Sequence, residues 1–74
     1  MNLITEIDVR DLACPEPFDK IMQALQTLPA GTSLLVLIHR EPYPLYNVIR
    51  DSGFTWQTDA LAEDSFRILI SRAA

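Results

Sequence analysis

Seventy-four residues, 49% of them hydrophobic and 22% charged, carry enough apolar matter for one core and too little chain for two. Ten acidic against six basic side chains leave a net charge of −4, which excludes the basic footprint that direct nucleic-acid binding requires. A lone cysteine, Cys14, excludes an internal disulfide and any two-cysteine metal clip. The segment from Met1 to Arg10 shows no basic region followed by an apolar stretch, so no secretory signal is expected. The longest apolar run, Leu34 to Ile38, is far too short for a bilayer. The expected protein is a single domain over residues 1–74, in a reducing cytoplasm and without a membrane anchor.

Taken in chain order, Ile7 and Val9 alternate with Glu6, Asp8 and Arg10, which suits a strand over Leu3 to Val9 with one wet face. After Cys14-Pro15-Glu16-Pro17 come Phe18, Ile21, Met22, Leu25 and Leu28 at helical spacing, predicting a helix from Cys14 to Leu28 that Pro29 and Gly31 stop. Ser33 to His39 reads as a central strand flanked on both sides. A second helix is predicted over Pro42 to Ser52, carrying Leu45, Val48 and Ile49, with Gly53 as its left-handed cap. Phe54 to Thr58 and Phe66 to Ile70 alternate like strands, and the polar stretch Asp59 to Asp64 reads as the loop between them. The order β-α-β-α-β-β implies an α/β (α+β two-layer) sandwich: a four-stranded mixed sheet with both helices on one face. Pro15-x-Pro17-Phe18-x-x-Ile21-Met22 and Pro42-x-Pro44-Leu45-x-x-Val48-Ile49 echo each other position for position, so both helices use the same start.

Proline is favoured at the first helical position, which assigns Pro15 to that place and makes Cys14 the N-cap. Pro17 stiffens the same turn, and the amides of Glu16 and Phe18 are the donors expected nearest the sulfur. The macrodipole favours a thiolate there, while Asp11, Glu16 and Asp19 oppose it and only Arg10 and Lys20 offset them. A thiol near its ordinary acidity follows, and a small buried hydrophobe at the strand–helix corner is the competing reading.

The run Asp8-Val9-Arg10-Asp11-Leu12-Ala13-Cys14-Pro15-Glu16-Pro17 resembles the signature of the TusA/SirA-like sulfur carriers. In that family a Cys-Pro-x-Pro motif follows the first strand of a β-α-β-α-β-β domain of about this length. The resemblance implies that Cys14 carries a persulfide between protein partners, a donor and an acceptor, in a sulfurtransferase-like role. Asp11 stands where the family usually has glycine. His39-Arg40-Glu41-Pro42-Tyr43-Pro44-Leu45-Tyr46 resembles the His-x-x-Pro-x-Pro-Leu-Tyr motif of a related family known only as a domain of unknown function. Many members of that branch lack the cysteine, and this chain keeps it.

His39 and Cys14 are expected on one sheet edge, where the histidine would act as proton donor or charge partner to the sulfur, or else satisfy backbone groups at the strand end. Arg10 and Arg40 read either as a small anion patch or as partners of nearby acids. Tyr43 is a candidate anchor for a partner, together with Pro42, while Tyr46 reads as helix packing and Trp56 as core or sheet-face contact. No ligand spacing marks a metal site, and no nucleotide loop or other cofactor signature is present. Besides the sulfur carrier, two readings stand: a non-catalytic binding or regulatory domain using the His39–Tyr46 surface, and a thiol redox sensor.

Overall fold

The computed structural model describes residues 3–13 and 16–73, arranged as β1 (Leu3–Asp8), α1 (Glu16–Gln26), β2 (Thr32–Ile38), α2 (Tyr43–Asp51), β3 (Phe54–Leu61) and β4 (Ser65–Arg72). The strands form one mixed sheet in the order β1-β2-β4-β3, parallel between β1 and β2 and antiparallel elsewhere. Period-two alternation then decides which side chains meet. Leu34, Val36 and Ile38 of β2 lie beside Ile70, Ile68 and Phe66 of β4, and together with Ile21, Leu25, Leu45 and Ile49 of the helices they make one core. The opposite face, with Glu6, Asp8, Gln57, Asp59 and Arg67 around half-buried Leu35, Leu37 and Leu69, carries no helix. This is the expected two-layer α+β sandwich. Among the described residues no helix is long and apolar enough to cross a membrane.

Several boundaries and one core assignment move from the sequence-based expectation. Helix α1 ends at Gln26, because Pro29 disfavours the helical region for Leu28. Leu28 still turns its side chain into the core, and its carbonyl accepts a 2.6 Å hydrogen bond from Arg72 Nη2. Arg72 also lies 5.3 Å from the centroid of the Phe54 ring, so one guanidinium ties β4 to α1 and to β3. Helix α2 spans Tyr43–Asp51, with Pro42 as its N-cap and Ser52 as its C-cap. Val48 is 37% exposed rather than in the core, since Leu45 and Ile49, four apart, carry the buried stripe and Val48 falls at its margin.

The segment expected as a loop between β3 and β4 is mostly strand. Asp59 pairs with Arg67 across the hairpin, and their side chains meet at 3.4 Å on the open face. Polarity at 57–61 therefore marks a wet sheet face, and the chain reverses only over 62–64, where Glu63 and Asp64 take positive φ of 62° and 55°.

Gly53 adopts φ +87° just beyond the α2 cap, as expected, and donates its N–H to the carbonyl of Arg50 at 3.2 Å. A Cβ built at Gly53 would meet nothing within 4 Å. Gly53→Ala is therefore expected to cost about 1–2 kcal/mol, entirely from backbone conformation. Urea unfolding checks this; an unchanged midpoint would show that the turn relaxes to negative φ at no cost.

Candidate functional site

Because β1 and β2 run parallel, α1 and α2 both begin at the same end of the sheet, beyond the carboxyl ends of those strands. Described residues of both helix starts line a groove of about 610 Å³ there. Ala13, Pro17 and Phe18 form one wall, Pro42, Pro44 and Leu45 the other, with Ile38 in the floor and His39, Arg40 and Glu41 along the connecting loop. A smaller cleft of about 310 Å³ lies between β1 and α1 and includes Lys20 and Gln23.

The backbone at the α2 start has no amide to spare. Tyr43 donates its N–H to the Glu41 carbonyl at 3.1 Å and Leu45 donates to Pro42 at 3.0 Å, while Pro42 and Pro44 have none. At the α1 start the Glu16 amide, one of the two donors expected beside the sulfur, instead reaches the Ala13 carbonyl at 2.9 Å. Cys14 and Pro15, with the N-cap and first-turn roles assigned to them, lie outside the described residues. Glu16 itself is exposed and Pro17 is buried.

His39 and Arg40 are exposed on the groove, and among the described residues neither makes a salt bridge or a side-chain hydrogen bond. Glu41 is engaged. Its Oε1 accepts the Tyr43 hydroxyl at 3.0 Å and its Oε2 the Tyr46 hydroxyl at 3.1 Å. Since Tyr46 has spent its one proton on Glu41, Thr58 Oγ1 donates to the same phenol oxygen at 2.7 Å. The Tyr46 ring stacks on Trp56 at 4.9 Å and 8°, and Tyr43 meets Tyr46 edge-on at 6.0 Å. The hydrogen bond to Glu41 raises the Tyr43 phenol above its ordinary value, whereas burial is the main cause of the rise at Tyr46.

Arg10 does not join Arg40. From the turn just past β1 it grips Asp8, the last residue of that strand, with Nε to Oδ1 at 2.9 Å and Nη2 to Oδ2 at 2.7 Å, and the Arg10 amide adds a third bond at 3.0 Å. Those bonds hold the Asp8 carboxyl down to about 2. An aspartate at a strand end accepting from the amide two residues on is a local turn pattern, which the i, i+2 spacing itself could have signalled. Tyr43, the candidate anchor, is 66% exposed, and Pro42 is half-buried in the groove wall. Sequence reasoning did not reach Phe18, Ile38 and Leu45 as groove lining, or Thr58 as a partner of Tyr46, since these meet only in three dimensions. Among the described residues no three His, Cys, Asp or Glu side chains gather as a metal site would need.

Residues 6–72 match the family model described as Uncharacterized conserved protein (DUF2249). The chain belongs to the DUF2249 family. The match takes in the Cys-Pro-x-Pro run and the His39–Tyr46 segment of this DUF2249 domain, and every described residue that lines the groove. No curated protein matches the chain.

Proposed function

We propose that this DUF2249 domain is a small sulfur carrier of the kind its Cys-Pro-x-Pro motif resembles in the TusA/SirA-like proteins. Cys14 accepts persulfide sulfur from one cytoplasmic protein and passes it to another. The observation supporting this reading is that Ala13 and Pro17, which bracket the cysteine and its proline, both line the groove that carries His39 and Arg40. In the transfer, the Cys14 thiolate attacks the outer sulfur of the donor's persulfide, the donor's S–S bond breaks, and the donor leaves as a thiolate. Cys14 then holds the sulfur as its own persulfide. The acceptor's thiolate repeats the step in the other direction, so no external oxidant or reductant enters. Arg40 and His39, on the groove that Ala13 and Pro17 also line, would offer hydrogen-bond donors to the sulfur anions.

Intact mass after incubation with a cysteine desulfurase and cysteine tests the reading. The wild-type chain is expected to gain one sulfur atom, removable by reductant, and Cys14→Ser to gain none. A native cysteine that neither gains sulfur nor alkylates until the chain is denatured would overturn it.

A second reading is favoured by the Glu41 network. Two phenols on one carboxylate, backed by the Tyr46–Trp56 stack, fix the His39–Tyr46 loop in place before anything binds. Such preorganisation suits a recognition surface that works with or without the thiol.

A further inference from the structure

The groove between the two helix starts has the proportions of a small-molecule site: about 610 Å³, mostly apolar, with few polar side chains. Its polar side chains differ in how far they are already engaged. Glu41, the carboxylate among the lining residues, already receives two phenol hydroxyls, and the α2 amides nearest the loop are spent on carbonyls or absent at the prolines. What remains to meet a ligand is the guanidinium of Arg40 and the imidazole of His39, both exposed and, among the described residues, without a side-chain partner. Glu41 keeps its charge and spare lone pairs beside them, so what marks the groove is the pair of unpartnered donor side chains, which a neutral ligand would leave to water. Phe18, Pro44 and Leu45 line the same groove and favour an aliphatic or aromatic body over a bare inorganic ion. In a chain of net charge −4, an exposed guanidinium with no ion pair among the described residues departs from the general surface.

We infer that the groove binds a small organic anion, with its carboxylate on Arg40 and His39 and its apolar body along Phe18, Pro44 and Leu45. This deepens the recognition-surface reading and rests on it, and it is independent of sulfur chemistry at Cys14.

The test is a titration of the full chain with octanoate, octylamine, octanol and inorganic phosphate, followed by amide chemical shifts. Octanoate is expected to shift His39, Arg40 and Leu45 saturably, while octylamine and phosphate leave them in place. Arg40→Gln is expected to weaken octanoate roughly tenfold or more, the loss of one charge-assisted bond. Arg67→Gln, on the open sheet face, is expected to change nothing. Octylamine or octanol binding as well as octanoate would overturn the anion assignment and leave a recognition surface standing. Phosphate competing with octanoate at equal strength would overturn the role of the apolar wall. Absence of groove shifts with all four probes would overturn the small-ligand site alone, and the sulfur-transfer result would stand or fall on its own mass change.

Discussion

Leu45→Ala is expected to cost the fold about 3 kcal/mol, within the range of about 2–5 for a leucine truncated in a core. Arg40→Ala, on the same groove, should stay within about 0.5 kcal/mol. Leu45 is fully buried and belongs to the cluster that joins α2 to β2 and β4, although its position also bounds the groove. Removing its isobutyl group opens a cavity that the flanking Pro42 and Pro44 are too stiff to collapse into. For a chain of this length each kcal/mol moves the melting temperature by roughly 4–8 °C, so a fall of roughly 12–24 °C is expected. Arg40 shows no ion pair among the described residues, so its truncation removes little that the folded state uses. Thermal and urea unfolding of the two variants side by side check this division. Comparable losses in both would mean that the His39–Tyr46 loop holds the fold together rather than presenting a surface.

That division could be read only in part from the sequence. The continuous run at Leu34–Ile38 and the helical spacing of Ile21, Leu25, Leu45 and Ile49 are local patterns, and the core is built on them. Sequence foreshortens the β3–β4 hairpin because Asp59, at the head of the polar stretch to Asp64, looks like a loop residue when read alone. Only its pairing with Arg67 across strands shows that it lines a wet sheet face. The same holds at the site. The two Pro-x-Pro starts are visible as motifs, but the convergence of Pro17, Pro42 and Pro44 on one groove depends on β1 and β2 being parallel neighbours. Glu41 reads as one more surface acid until Tyr43 and Tyr46, three residues apart on α2, are seen to close on it. Thr58 enters from a different strand, and no local pattern connects it to Tyr46.

The Glu41 network gives the largest spectroscopic change expected of any variant in this domain, because Tyr43 and Tyr46 are the chain's two tyrosines. Tyrosinate absorbance therefore reports on nothing but this cluster. Both phenols should ionise above their ordinary value of 10.0. Each is an acid whose folded-state value is raised, so the fold favours the protonated form. The stabilisation is complete below the ordinary tyrosine value and is lost as pH climbs through the raised ones. Glu41→Gln keeps an acceptor oxygen and removes the charge, and the two tyrosines should respond unequally. Tyr43 owes its rise first to the hydrogen bond with Glu41 and then to that carboxylate's charge, so its midpoint should fall back towards 10.0. Tyr46 owes its rise first to burial, and the Thr58 hydroxyl already pulls it the other way, so its midpoint should move less. The absorbance curve should separate accordingly, an earlier step from Tyr43 and a later one from Tyr46, with Tyr43→Phe removing the earlier step alone. Equal shifts at both tyrosines, or none at either, would mean that the Glu41 charge does not organise the loop. The rigid wall that both functional readings rely on would then have to come from the prolines and the Tyr46–Trp56 stack.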